Sequence, residues 1–401
     1  MKICLVTRSL PLHRAGGLEY HTADLAQGLA RRDCEIHILT TNAPSEITSN
    51  VYPGCTLHFI PDVTPGNYSL AYFTVVSRVI RELHSLHHFD VIHAQGFALL
   101  SSFYMKNLPV VVTIHGTLFS ETALYREYFR TLSLTEKAGV IWRHKDRLAI
   151  YPFYTRYMRR ARRILVDSEF TARELSLHIP ALKDTIRKVP LGIDPERYPA
   201  VDKHLAREKL GLEKADYPVL FTLSRLENMK GIDVALKALS NLKRYKWVYY
   251  IGGTGSEEKS LKAAAAELEL TDRVYFLGRV SEEDLPHYYS AADLFMYPEK
   301  SQPAFGLVAL EALLQNTPVV ASRAGALPEI ITKEVGITFN RNDPEDLRKT
   351  LEPLLTNPEM LYAFKDTREY VLTHFSFEQM IESTILVYQE IISSCREHLI
   401  V

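Results

Sequence analysis

The chain has 401 residues, 46 % hydrophobic and 24 % charged, with 47 Lys and Arg against 48 Asp and Glu for a net charge of −1. Such a make-up belongs to an ordinary soluble protein of two or three domains. No apolar run approaches the roughly 18–20 residues of a transmembrane helix, and the first run, ICLVT, is too short for a secretion signal.

In chain order, short apolar runs bounded by Gly, Pro or a cap predict strands near residues 2–7, 34–40, 56–60, 89–94, 109–114, 163–167 and 186–189. A second set falls near 218–223, 247–251, 273–277, 293–297, 318–321 and 335–339. Both sets alternate with helical patterns, as buried parallel strands do. Gly16 and Gly17 follow the first strand, and His115 and Gly116 follow PVVVTI. Arg225 and Lys230 follow VLFTLS, the Gly-rich turn Gly252–Ser256 follows WVYYI, and Gly278 follows VYFL. Pro190, Pro195 and Pro199 break the pattern between the two sets, so a hinge is expected at 190–199. Beyond Asp343 three helices are expected, over 343–355 capped by Asp343, over 357–372 capped by Asn357 with Pro358 first, and over 376–399 capped by Ser376.

Charge is uneven. Residues 1–190 hold 23 Lys and Arg against 16 Asp and Glu, and the remainder holds 24 against 32. A basic first half suits an anionic acceptor or an anionic membrane surface. Tyr151–Arg163, YPFYTRYMRRARR, with Arg143–Arg147, reads as a solvated basic helix face, with membrane docking as the alternative. Cys4, Cys34, Cys55 and Cys395 lack metal-type spacing and close pairing, so free thiols in a cytoplasmic setting are expected. His13, His21, His87, His88 and His93 read as ordinary residues of loops or helix ends, and no metal site is expected.

The segment Pro298–Gly325 sets Glu311 inside a helix that opens near Phe305 and Gly306, directly after the strand LFMYP. A helix start at the carboxyl end of a parallel strand offers free N–H groups to an anion, and a carboxylate one or two turns in can reach neutral hydroxyls such as those of a ribose. The plain alternative is a solvent-facing Glu. Arg225 and Lys230, five apart in a loop, can converge on one diphosphate as it leaves. Alternatively, Arg225 pairs with Glu227 or Asp233 and Lys230 points to solvent.

Six phrases in order carry a resemblance: AGGLEYHTADLAQGLA around Gly16 and Gly17, VTIHGT around His115, VDSEFTARELS (Val166–Ser176), VPLGID (Val189–Asp194), SRLENMKGID, and FLGRVSEEDLPHYYSAADLFMYP. The chain resembles a retaining glycosyltransferase of family four over nearly all of its length. That resemblance implies the α/β fold called GT-B, two Rossmann-like doubly wound parallel-sheet domains facing each other across a cleft. Residues 1–192 would bind the acceptor, joined by a C-terminal helix at about 376–401, and residues 193–375 would bind the nucleotide-sugar donor. By the same resemblance Arg225 and Lys230 would hold the donor diphosphate, with Gly16, Gly17 and Gly253 close to the donor. Phe305, Gly306 and Leu307 would meet phosphate or sugar through backbone amides. Arg279 and Val280 would read the base, Glu311 the ribose and His115 the sugar.

The implied reaction is transfer of a hexose from a nucleoside diphosphate sugar, UDP first, to a hydroxyl of a sugar, lipid-linked or small-molecule acceptor, with retention. No Asp-x-Asp triplet occurs, so no required metal and no cofactor are expected, the cations taking over charge neutralisation. No nucleic-acid partner is expected. The expected location is cytoplasmic, with peripheral contact at the inner membrane face as an option. One position departs from the family's paired glutamates: Pro303 stands where the first would be, with Glu299 and Gln302 as nearby substitutes if the loop rearranges. A nucleotide-sugar 2-epimerase-like isomerase and a noncatalytic nucleotide-sugar binding protein are the alternatives.

Overall fold

The computed structural model describes residues 1–14, 16–42, 51–66, 68, 70–100, 108–120, 153–212, 217–364 and 366–397. The chain divides into two compact units, Met1–Gly192 with Glu378–Val401, and Ile193–Phe377.

The first unit is built on seven parallel strands, β1 Lys2–Val6, β2 Glu35–Thr40, β3 Cys55–Phe59, β4 Val91–Gln95, β5 Val110–Ile114, β6 Arg163–Val166 and β7 Ile186–Lys188. They run in the order β3-β2-β1-β4-β5-β6-β7. In β4 and β5 every residue is buried, whereas β3, on the edge, is only partly so. Helices cover both faces of such a sheet, which is why its central strands read as continuous apolar runs.

The second unit has six parallel strands, β8 Val219–Leu223, β9 Val248–Gly252, β10 Val274–Gly278, β11 Leu294–Tyr297, β12 Val319–Ser322 and β13 Gly336–Phe339, in the order β10-β9-β8-β11-β12-β13. The strand order reverses between β1 and β4 in one sheet and between β8 and β11 in the other. In open α/β sheets the ligand crevice opens at that switch point, beyond the carboxyl ends of the strands.

The helix Phe377–Glu397 belongs to the first unit, although the chain before it lies in the second. Its Glu378 and Glu382 pair with Arg32, Tyr388 Oη lies 2.7 Å from His93 Nδ1, and Glu390 meets Arg163 at 2.9 Å and Arg187 at 3.2 Å. Asp343 caps the helix Pro344–Thr356 by accepting from the Glu345 and Asp346 amides at 3.0 and 2.9 Å.

The helix expected over 357–372 is instead two pieces, a 3₁₀ helix Pro358–Ala363 and an α-helix Thr367–His374. Asp366 between them has φ 54°, a left-handed conformation that stops helical propagation. His21 and His93 are also not where the sequence reading put them. His21 lies within the helix Gly17–Ala30 and His93 within β4, both buried. In the basic stretch, Tyr154, Tyr157 and Met158 pack into the core while Phe153, Arg156 and Arg159 face outward. Arg143–Arg147 lies outside the described residues. Among the described residues no helix is long and apolar enough to cross a membrane.

Candidate functional site

In the second unit the predicted residues follow the carboxyl ends of β8, β9, β10 and β11. Arg225 follows β8 by two residues, and Lys230 ends a short 3₁₀ turn, Asn228–Lys230. Gly231 comes next, with φ +68°, and a Cβ there would lie 1.7 Å from the Pro298 carbonyl beyond β11. The turn carrying Lys230 is therefore pressed against the β11 loop, and the Lys300 amide donates to the Met229 carbonyl at 2.8 Å across the same contact. Gly253, beyond β9, holds φ +119° with its Cβ position 1.8 Å from the Ser224 carbonyl, and its amide donates to the Gly278 carbonyl. That contact ties the β8, β9 and β10 ends together. Arg279 and the half-buried Val280 follow directly, Arg279 being exposed.

The cations are only partly as expected. Arg225 is 72 % exposed and its Nη1 meets Glu227 Oε1 at 2.6 Å, the plainer of its two readings. Lys230 does not point to solvent: its Nζ lies 2.7 Å from Oε2 of Glu299, which is fully buried, and its own side chain is 23 % exposed. Glu299 Oε1 also accepts from the Ser301 amide and hydroxyl. Gln302 Oε1 accepts from the Gly325 amide, and the Pro303 carbonyl accepts from the Ala326 amide at 2.9 Å. Both nominated substitutes for the missing glutamate thus hold the loop in this conformation, Glu299 through Lys230 and Ser301 and Gln302 through Gly325.

The helix after this loop is Leu307–Leu314, with Gly306 before it. Among the described residues, the backbone N–H groups of Phe305, Gly306 and Leu307 find no protein acceptor. Free amides at a helix start are a ready anion site. Glu311 is not solvent-facing. Its Oε1 accepts from Tyr198 Oη at 2.9 Å and its Oε2 from Tyr289 Oη at 2.7 Å. Burial pushes its carboxyl pKa up, against the lowering effect of those two hydroxyls. Each oxygen keeps a second lone pair. Tyr198 belongs to the proline-rich segment, which is fastened to this unit by Gln315: its Oε1 accepts from the Val201 amide at 3.0 Å and its Nε2 donates to the Pro199 carbonyl at 2.9 Å.

In the first unit the carboxyl ends of β1, β4, β5 and β6 supply the polar groups. Gly16 precedes the helix Gly17–Ala30, and its pocket is filled by Glu19, whose Oε2 would be 2.3 Å from a Cβ at Gly16. Glu19 is buried and accepts from Ser9 Oγ at 2.6 Å and Arg14 Nε at 2.8 Å. Burial acts to raise its pKa, but those hydrogen bonds and the guanidinium charge hold it below the ordinary range. His115, first after β5, is held at both ring nitrogens: Nδ1 lies 2.9 Å from Asp167 Oδ2 and Nε2 lies 2.8 Å from Gln95 Oε1. With both nitrogens engaged and the ring only 16 % exposed, the imidazole is held in one orientation. Behind it, His21 packs edge-on at 4.9 Å between centroids. His93 sits between Tyr388 and Thr113, and burial depresses its pKa to about 3.

Sequence reasoning named Glu299 only as a stand-in for the missing glutamate, without its pairing to Lys230, and it missed Asp167, Gln95 and Glu19. Asp167 and Glu299 lie within two residues of a strand's carboxyl end and Gln95 closes β4, so the position rule that selected His115 was the available signal. Glu19 had none, since nothing in GGLEY says that this Glu turns inward.

The family model for glycosyltransferase family 4 matches residues 15–197, and that for glycosyl transferases group 1 matches residues 203–369. An uncharacterized glycosyltransferase of Methanocaldococcus jannaschii is 25 % identical over 405 residues, covering 97 % of this chain and 98 % of its own. A D-inositol 3-phosphate glycosyltransferase of Geodermatophilus obscurus is 27 % identical over 93 % of this chain and 84 % of its own. Among solved structures, sucrose-phosphate synthase of Thermosynechococcus elongatus superposes with a TM-score of 0.80 at 21 % identity, over 98 % of this chain and 99 % of its own. Anabaena HepE, in complex with UDP and glucose, superposes with a TM-score of 0.74 at 20 % identity, over 97 % of this chain and 100 % of its own.

Proposed function

We propose that this chain, which belongs to the family 4 glycosyltransferases of the glycosyl transferases group 1 and has their GT-B fold of two Rossmann-like sheets, transfers a hexose from UDP-sugar to an acceptor hydroxyl with retention. One observation carries the donor side of this reading. Lys230 and the acceptor-free amides of Phe305, Gly306 and Leu307 flank the one place in the second sheet where the strand order reverses. A diphosphate there meets an ammonium and a helix start together. Structures of HepE with UDP and with UDP-glucose support UDP as the first nucleotide to test.

In this reading Lys230 exchanges Glu299 for a donor phosphate and Arg225 swings from Glu227 to join it. Both stabilise the charge that builds on the leaving diphosphate. The free lone pairs of Glu311 accept from the ribose hydroxyls, and the backbone around Arg279 and Val280 meets the base. Gly253 keeps the β9 end low enough for the nucleotide to lie across it, and the family resemblance assigns Gly16 and Gly17 to the donor as well. His115 lines the sugar site, kept in one orientation by Asp167 and Gln95. The departing phosphate takes the acceptor proton on the face it leaves, so no carboxylate nucleophile and no metal are required. The basic first half suits an anionic sugar, lipid-linked or small-molecule acceptor, in a cytoplasmic protein that reaches the membrane only peripherally. Co-sedimentation with anionic vesicles checks the last point, and recovery of all protein in the supernatant would remove it.

The test is a product analysis. Incubated with UDP-hexoses and an acceptor panel without metal, the protein should release UDP and form a glycoside of the donor's own anomeric configuration, read by proton NMR. His115→Ala should lower kcat at least tenfold with little change in UDP affinity. Inverted product, or an absolute need for a divalent ion, would contradict the mechanism.

A further inference from the structure

Far from these loops, three histidines of the first unit meet. His37 lies on β2, His58 on β3 and His87 at the last residue of the helix Leu70–His87. His37 Nδ1 is 2.8 Å from His58 Nε2. One ring nitrogen from each of the three lies within 4.8 Å of the others. The other nitrogen of His37, Nε2, is 3.1 Å from Glu35 Oε1, and Glu35 in turn pairs with Lys2 Nζ at 3.3 Å. Phe89 closes one side, with ring centroids 5.1 Å from His37 and 5.6 Å from His87.

We propose that His37, His58 and His87 form a binding site for a divalent first-row transition-metal ion, zinc first, with Glu35 as the carboxylate that orients His37. Neutral imidazole is a preferred donor for such ions, and three imidazoles leave one position for water. A ligating histidine ordinarily donates its second ring N–H to a carboxylate, which fixes the tautomer and turns the lone pair inward. Glu35 gives His37 that arrangement: with Nε2–H donated to Glu35, the Nδ1 lone pair faces the cluster.

The geometry needs little change. Tetrahedral zinc with bonds of about 2.0–2.1 Å places ligand nitrogens roughly 3.3–3.4 Å apart. The His37–His58 pair opens from 2.8 Å, and the pairs with His87 adjust from separations within 4.8 Å. His87, half-buried at a helix end, has the freedom to make that adjustment. The proton that His58 Nε2 shares with His37 Nδ1 leaves that nitrogen, and His58 then carries its proton on Nδ1.

The site is not part of the transfer machinery. Lys2 and Glu35 begin β1 and β2, His87 precedes β4, and His37 and His58 lie within β2 and β3, whereas His115 and Gly17 lie in the segments that follow the carboxyl ends of β5 and β1. Its effect is to clamp the edge strand β3 to β2 and to the helix that ends at His87.

The experiment is calorimetric titration of ZnCl₂ into the nucleotide-free, chelator-treated full chain, paired with CoCl₂ and visible spectroscopy. One equivalent should bind, and cobalt should give the intense absorption of a tetrahedral site. Glu35→Gln should weaken zinc about 10–100-fold. His58→Gln, and separately the more peripheral His87→Gln, should each lose the stoichiometric equivalent, with circular dichroism confirming the fold. If either variant fails to fold, the other and Glu35→Gln decide. Absence of a stoichiometric ion, a weak octahedral cobalt spectrum, or affinity unchanged in the folded variants would overturn the site.

Discussion

Replacing Lys230 by Met separates what this residue does for the fold from what it does for the donor. Glu299 is fully buried and its strongest partner is the Lys230 ammonium at 2.7 Å. Removing one partner of a buried ion pair costs about 3–5 kcal/mol. Because Ser301 still donates to Glu299 and Lys230 is partly exposed, about 2–3 kcal/mol is expected here. A second change, Glu299→Gln, removes the stranded charge and should recover most of that loss, since the amide oxygen still accepts from Ser301. Nucleotide affinity should not recover. A charge-assisted contact to phosphate contributes about 1.5–3 kcal/mol, so UDP should bind about 10–150-fold more weakly in both the single and the double variant. Urea unfolding read by fluorescence gives the first quantity and calorimetric titration of UDP the second. If the double variant regained full UDP affinity, Lys230 would be a structural counter-charge to Glu299 and the phosphate role would fall.

Acid stability tests the buried histidines. His93 keeps a folded pKa near 3 against 6.5 when unfolded, so as pH drops below 6.5 only the unfolded chain takes up its proton and stability falls until the folded pKa is reached. At pH 5 that amounts to about 2 kcal/mol relative to neutral pH. His93→Gln should flatten the urea-derived stability slope between pH 7 and 5 by this amount, and an unchanged slope would show that His93 already titrates in the fold. Glu311→Gln should weaken UDP about tenfold or more while leaving pyrophosphate, which has no ribose, unaffected; equal weakening of both would place Glu311 outside the ribose site. Gly231→Ala puts a methyl 1.7 Å from the Pro298 carbonyl at φ +68°, so it should cost more than about 1 kcal/mol and weaken UDP as well, because the Lys230 turn has to lift off the β11 loop. An unchanged melting temperature would show that the Gly231–Pro298 contact does not hold the turn in place.

The strands were legible because they are buried on both faces: runs such as VVVTI in β5 leave little choice of period or boundary. Loops at the carboxyl ends were legible by position, which is why Arg225, Lys230, His115 and Glu311 could be singled out. What those side chains touch was not. Lys230 finds Glu299 across 69 positions of sequence and Glu311 finds Tyr198 across 113; such pairs arise from strand order, which no local pattern encodes. The break at Asp366 was hidden for a different reason. The segment after Pro358 keeps good helix formers, and the interruption comes from the backbone, non-helical at Phe364 and left-handed at Asp366, which Asp adopts at modest cost. The three-histidine cluster was invisible because residues 37, 58 and 87 share no motif spacing and come from two adjacent strands and a helix end.

The donor site is tested by calorimetric titration of UDP, GDP and ADP into the metal-free protein. Saturable binding of one nucleotide at one equivalent is expected, UDP first, and it should be lost when Arg225 and Lys230 are both replaced by Ala. Binding of none of the three, with or without magnesium, would contradict a donor diphosphate site at the carboxyl ends of β8 and β11.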